Sequence, residues 1–307
     1  MRFLMEQEFE VALIGGSGFV AKHLIEVLKK MNLSFIVYSR NESEFISKEQ
    51  FQHFDLLYSE TPQPIRPVKV KTLIFNSVMK GRFLSESAEW SNQGAVTAPD
   101  FHLLSKKLNL KFNRLITMGS SEEYGARQNP TPILETDDLA AISSYGVWKK
   151  KLYENARLWA KTNAAQSIHL RPFIIYGEDS DPNMFIKQII SVLKNGEPFK
   201  MTPGEQYRSF VSIKTLEKTI QTLLLKSSWQ EYSRANALNV SDPQYWKMKD
   251  VALLISELIP NSKIEVGALN YRTEEVWHQQ PDLHLITKLL GNSYENDFKE
   301  DLKKLIS

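Results

Sequence analysis

The chain has 307 residues, enough for one large domain or two smaller ones, and 42% of them are hydrophobic, which allows a sizeable core. Lys and Arg number 38 against 36 Asp and Glu, a net charge of +2, so there is no electrostatic case for nucleic acid or a membrane surface. There are no cysteines, which excludes disulfides, zinc-thiolate sites and thiol catalysis and fits a reducing compartment.

The opening "MRFLMEQEFE" lacks the apolar core of a signal peptide. No apolar run approaches the roughly 18 residues of a membrane span. The expectation is a soluble, cytoplasmic protein. "EVALIGG" then reads as a strand entering a glycine turn, and "AKHLIEVLKKMN" as a helix with Leu24, Ile25, Val27 and Leu28 on its apolar face. "SFIVYS" is a second strand, "FQHFDLL" a weaker third and "VKTLIFNSV" a fourth. Helical "FHLLSKKLNL" leads to strand "RLITMGS", helix "YGVWKKKLYENARLWAKT" and a further strand "SIHLRPFIIYG". Strands alternating with helices imply an α/β fold: a doubly wound parallel sheet of the Rossmann type, covered on both faces.

From Gly177 the pattern loosens. "EDSDPN" reads as a loop, "MFIKQIISVLKNG" as a helix ending at Gly196, and "EPFKMTPGEQYRSF" as irregular or β. "ALNVSDP" is one more strand, "MKDVALLISELIP" an amphipathic helix stopped by Pro260, and "DFKEDLKKLIS" a short helix. The expected plan is a cofactor domain over 1–176, with a returning strand near 236–240, and a smaller, partly interleaved α/β substrate region over 177–307.

"IGGSGFVA" carries the first chemistry. Gly15 permits the tight turn, Gly18 lets the backbone approach a pyrophosphate, and Ala21 is small enough for helix–strand packing. The helix opening at Phe19 and Val20 offers free N–H groups and a favourable dipole to phosphates. A glycine turn alone also occurs with no ligand. Here a strand precedes it, a helix follows it, and a second strand ends at Ser39, close to the roughly 20-residue offset at which an acid usually meets the ribose. The acid is missing. Ser39 can hydrogen-bond a 2′-phosphate, and Arg40 can pair with it through a planar fork of donors. That pair leans toward NADP(H), with NAD(H) possible. The plain alternative is that Arg40 is a solvated loop cation.

"SSYGVWKK" places Tyr145 and Lys149 one helical turn apart on one face. There the ammonium favours an ionised phenol, and Tyr145 can exchange a proton with a sugar hydroxyl or ketone during hydride transfer. Tyr-x-x-x-Lys is common on ordinary helix surfaces. "TMGSSEEYG" at the end of the preceding strand adds Ser120, which can hydrogen-bond the same oxygen at the carboxyl edge of the sheet. Glu122 beside it serves either as a catalytic acid or as a tie within the local turn. The six histidines show no ligand spacing, so no metal site is expected. Trp148, Leu152 and Trp159 form a stripe that is either core or a dimer seam.

"IGGSGFVA", "GSSEEYG", "SSYGVWKK" and "LRPFIIYG" occur in the order and spacing of the extended short-chain dehydrogenase/reductases that modify nucleotide sugars, and the chain resembles that family over nearly its whole length. "TPGEQYRSFVSI" resembles the family's G-x-x-x-R-D-F segment, and "ALNVSD" its late returning strand. The resemblance implies a catalytic Ser120, Tyr145 and Lys149 and a cofactor turn of Gly15, Gly18 and Phe19. It also implies an adenine contact at Asp55, Asn76 and Ser77 beside the cofactor, Lys80 near it, and Arg208 and Arg272 on the diphosphate of a nucleotide-sugar substrate. A homodimer through the Tyr145 helix is implied as well. The chain departs from the pattern at Ile174, where many members have Asn. Ser209 and Lys214 stand for the aspartates that follow the arginine, and Phe75 and Asn76 for "HLA". Ser121 occupies the Asp position of a 4,6-dehydratase, which weakens that reading. "TPGEQ-x-R" and "GA-x-x-x-R-x-x-E" resemble 4-ketoreductases of the CDP-abequose synthase type. The expectation is an NADPH-dependent 4-ketoreductase of a nucleotide sugar, in deoxysugar or surface-polysaccharide biosynthesis. The alternatives are an NAD-retaining 4-epimerase or dehydratase, and a non-catalytic NADP-binding module.

Overall fold

The structure, a computed structural model, describes residues 6–42, 44–55, 67–77, 98–127, 129–272, 275–291, 294 and 296–307. Lys80, expected near the cofactor, lies outside the described residues.

The main sheet is wholly parallel. Its strands are β1 (Gln7–Ile14), β2 (Phe35–Ser39), β3 (Phe51–His53), β4 (Val68–Phe75), β5 (Leu110–Lys111), β6 (Arg114–Met118), β7 (Gln166–Pro172) and β11 (Ala237–Val240). The spatial order is β3-β2-β1-β4-β6-β7-β11, with β5 pairing β4. The order reverses between β1 and β4, which opens the crevice at the carboxyl ends where such sheets take ligands. The doubly wound α/β expectation holds.

Each face is closed by helices whose apolar stripes pack on alternate strand residues. One face receives α1 (Phe19–Lys30), α5 (Ile213–Leu225) and α7 (His284–Leu290) over Val11, Leu13, Ile74, Ile116 and Leu170. The other receives α2 (Phe101–Lys107) and α3 (Ser144–Thr162) over Ala12, Ile14, Leu73 and Leu115. Trp148, Leu152 and Trp159 are buried in this second core, so that stripe is core rather than seam.

Two expectations change here. "SIHLRPFIIYG" is two strands: after Pro172 the chain leaves the main sheet, and β8 (Ile174–Tyr176) pairs with β10 (Tyr207–Ser212). Pro172 has no N–H to continue a ladder, which gives the physical reason for the switch. Helix α2 ends at Lys107, and Leu110 begins β5 rather than ending that helix.

β10 anchors a second sheet with β12 (Tyr245–Lys247) and β14 (His278–Gln279). A pair of short strands, β9 (Phe199–Met201) and β13 (Ile264–Val266), lies beside it. Helices α4 (Phe185–Lys194), α6 (Met248–Glu257) and α8 (Phe298–Ile306) enclose a third core around Phe199, Phe210 and Phe298. Asp242, just beyond β11, joins the two sheets. It accepts from the Ser212 amide at 2.8 Å, Thr215 Oγ1 at 2.6 Å and Asn296 Nδ2 at 2.7 Å. Among the described residues no helix is long and apolar enough to cross a membrane.

Candidate active site

The glycine turn is set by backbone crowding. Gly15 has φ +93°, and a Cβ there would lie 2.6 Å from the Ser77 amide nitrogen at the end of β4. Its N–H donates to the Tyr38 carbonyl at 2.9 Å, and Asn76 reaches back to its carbonyl through Nδ2 at 3.2 Å. Asn76 and Ser77 are thus beside the turn. Gly18 is the residue before α1. Among the described residues, a Cβ there would meet nothing within 4 Å, no side chain caps the helix, and its first turn holds no acid. Open space in front of uncapped amides fits a pyrophosphate. Phe19 turns the other way, its ring edge 3.0 Å from where a Gly177 Cβ would stand.

Ser39 closes β2, 5% exposed, its Cβ 3.5 Å from where a Gly16 Cβ would stand. The residue at the acid's usual place therefore borders the phosphate turn. Arg40 follows it, exposed, with no ion pair among the described residues. Asp55 is half-buried just past β3, beside Phe54, whose amide donates to the Ser39 carbonyl at 2.9 Å.

The proton-handling residues meet at the end of β6. Ser120 leads into a single 3-10 turn, Ser121–Tyr124, and its Oγ accepts from the Glu122 amide at 3.2 Å. That bond uses a lone pair and leaves the hydroxyl hydrogen for another acceptor. Tyr145 sits in the first turn of α3, half-buried. Lys149, 1% exposed, lies below it, its Nζ 5.5 Å from the phenol centroid and donating to the Met118 carbonyl at 2.5 Å. Met118 closes β6, so one hydrogen bond ties the lysine of α3 to the strand that carries Ser120. Ser143, the cap of α3, donates to Glu122 Oε2 at 2.7 Å. A Cβ on Gly146 would lie 2.7 Å from the Glu122 carbonyl oxygen, so the helix rests directly on the turn. Ser120, Glu122, Tyr145 and Lys149 are therefore brought together. The Ser143 bond supports the reading of Glu122 as a local tie.

Below this turn lies a buried ionic cluster that sequence reasoning missed. Glu123, 0% exposed, accepts from the Ser120 amide at 2.8 Å, His169 Nε2 at 2.9 Å and Arg171 Nε at 2.8 Å. Burial alone would raise its carboxyl, but the hydrogen bond from His169 and the guanidinium of Arg171 outweigh burial and hold it below the usual carboxylate range. Burial pushes His169 below its ordinary value, so it is neutral, donating from Nε2 and receiving Thr117 Oγ1 at Nδ1, 2.6 Å away. The available signal was "SSEE": Ser-x-x-Glu is a capping box, and that box forms here.

The second sheet is aimed at the same turn. Arg208 on β10 faces Trp246 on β12 and Gln279 on β14, and directly opposed residues share a sheet face. Gln279 Nε2 donates to the Ser121 carbonyl at 3.3 Å, so that face looks toward the catalytic turn. Arg208 is half-buried and paired through Nη2 with Glu275 Oε1 at 2.9 Å, a contact no local spacing could show. Arg272 is exposed, just before that carboxylate. Three metal-capable side chains, His23, Glu26 and Glu217, also converge within 4.8 Å, where His23 Nδ1 and Glu217 Oε1 share a hydrogen bond of 2.6 Å.

The model of the NAD dependent epimerase/dehydratase family matches residues 11–232, from the first strand to beyond α5. The chain belongs to this family. That membership bears out the resemblance to extended short-chain dehydrogenase/reductases, and the protein is a nicotinamide-dependent enzyme. Among characterised relatives, the CDP-abequose synthase of Salmonella typhimurium (strain LT2) is 24% identical, the alignment covering 100% of this chain and 99% of that protein. The CDP-abequose synthase of Yersinia pseudotuberculosis is 22% identical, over 97% of this chain and 98% of that one. Among solved structures, the UDP-glucose 4-epimerase of Thermus thermophilus in complex with NAD superposes with a TM-score of 0.76 at 16% identity, covering 98% of both chains. At that identity the superposition bears on the fold alone.

Proposed function

We propose that this family member is an NADPH-dependent reductase of a 4-keto nucleotide sugar, acting in deoxysugar or surface-polysaccharide biosynthesis. The observation that carries the reading is the end of β2: a buried Ser39 against the phosphate turn and an exposed Arg40, where an acid would repel a 2′-phosphate. End-to-end similarity to two CDP-abequose synthases supports the same class.

A nicotinamide cofactor held at the Gly15 and Gly18 turn would supply the hydride for C4. Tyr145 donates its phenolic proton to the O4 oxygen as negative charge develops there. Ser120 orients that oxygen with the hydroxyl hydrogen left over from its bond to the Glu122 amide. Lys149, fixed by the Met118 carbonyl, binds the ribose and favours the ionised phenol by its charge. Gly15, Gly18, Phe19 and Val20 shape the phosphate site, and Asp55, Asn76 and Ser77 border the cofactor. Arg208 and Arg272 hold the substrate diphosphate, for which Glu275 competes at Arg208. A homodimer through α2 and α3 is part of the proposal. Leu103, Val147 and Leu158 stand 64%, 51% and 59% exposed on those helices.

An NAD-retaining 4-epimerase is the second reading, favoured by membership in the NAD dependent epimerase/dehydratase family. Membership in an enzyme family and the assembled Ser120, Tyr145 and Lys149 speak against a non-catalytic binding module. The test is the ratio of kcat/KM for NADPH over NADH, in the parent and in Ser39→Asp/Arg40→Asn. The double change loses a charge-assisted contact and adds a repulsion, so the ratio should fall by at least about 2 kcal/mol, or about thirtyfold. A parent that prefers NADH, or a ratio unmoved by the change, would sink the reading.

A further inference from the structure

The turn that presents Ser120 is held from below by charge. Glu123 takes the Ser120 amide and His169 on one oxygen and Arg171 on the other. His169 in turn is fixed by Thr117, on the strand leading to Ser120. Between them, Gly119 lies flat on the pair: a Cβ there would be 2.1 Å from His169 Nε2 and 2.4 Å from Glu123 Oε1. Arg171 is anchored further by the Tyr124 hydroxyl and the Glu135 carbonyl, both at 3.0 Å. The strand end is thus tied at Thr117, pressed at Gly119 and tied again at Ser120.

A capping box needs only a surface carboxylate, and glutamine serves as well. Burying carboxylate, imidazole and guanidinium together is a poor route to stability, since well-packed apolar residues often do as well or better. We propose that Glu123, held by His169 and Arg171, is a positioning residue for Ser120, fixing its backbone so that the hydroxyl points at the substrate oxygen. This rests on the assignment of Ser120 to that oxygen.

Glu123→Gln keeps the shape but loses the charge, and it leaves at least one donor of the His169–Arg171 pair unmet. Turnover should fall about tenfold, the effect of one hydrogen bond to a charged group, with both Michaelis constants near the parent's. In a Ser120→Ala background the same change should cost nothing further, because the two act as a unit. His169→Gln should follow the same pattern. Independently of substrate, the Ser120 amide should exchange slowly with solvent in the parent and faster in both variants, while β1 and β4 keep their protection. If Ser120→Ala turns over like the parent, the Ser120 assignment fails and the proposal with it. If Ser120→Ala is slow but Glu123→Gln is parental or fully additive with it, positioning alone fails. A rapidly exchanging Ser120 amide in the parent overturns the proposal without any assay.

Discussion

In the proposed reaction Tyr145 is the residue on which the chemistry turns. It was legible because a helix brings i and i+4 to one face, and the structure places Lys149 below its ring. Tyr145→Phe removes the proton donor and keeps the ring. Turnover should drop on the order of a hundred- to ten-thousand-fold with cofactor affinity intact, as read by steady-state rates and a cofactor titration. Near-normal turnover would remove Tyr145 from the mechanism. Glu123 was less legible. Ser-x-x-Glu announced a cap, but its partners His169 and Arg171 lie on another strand, and no local pattern predicts that three ionisable groups share one buried pocket. Likewise nothing between Arg208 and Glu275 in the chain foretells their ion pair.

At the scale of elements, the strand–helix alternation of the first half was readable from period alone. The second half was harder for identifiable reasons. Helix α5 begins at Ile213 directly from the end of β10, with Ser212 as its cap and no Gly or Pro between, so strand and helix read as one run. The switch from β7 to β8 had a signal in Pro172, masked by the apolar run Phe173, Ile174 and Ile175 that follows it. The contact that assembles the site is between elements: α3 lies on the 3-10 turn through Gly146. Gly146→Ala puts a Cβ 2.7 Å from the Glu122 carbonyl oxygen and must lift the helix. The expected cost is about 1–3 kcal/mol of stability, with a loss of turnover, because Tyr145 and Lys149 move with α3. Parental melting and turnover together would show that the helix does not need this contact.

At the scale of the molecule, two sheets meet around the Ser121–Tyr124 turn. Asp242 bridges them, and Gln279 reaches from the second to Ser121. The buried cluster under that turn couples stability to pH. Burial lowers His169 below its usual value, so the unfolded chain takes up a proton near pH 6.5 that the folded chain refuses. The stability His169 contributes is therefore present above about pH 6.5 and lost as pH falls below it. The advantage of the parent over His169→Gln should shrink on acidification from about pH 7.5 to about 5.5, with a limiting slope of about 1.4 kcal/mol per pH unit. Denaturation curves at both pH values read this directly, and an advantage independent of pH would mean that His169 titrates alike in both states.

The central claim is net reduction at C4, and the most direct test follows the hydride. The enzyme is supplied with NADPH carrying deuterium at the transferable position and a 4-keto nucleotide sugar. The product is read by NMR and the NADP formed is counted. Net reduction gives one cofactor oxidised per sugar and deuterium at C4 of the alcohol. Interconversion of sugars with no net cofactor consumption, no deuterium at C4 and tightly held NAD would contradict it and make the protein an epimerase.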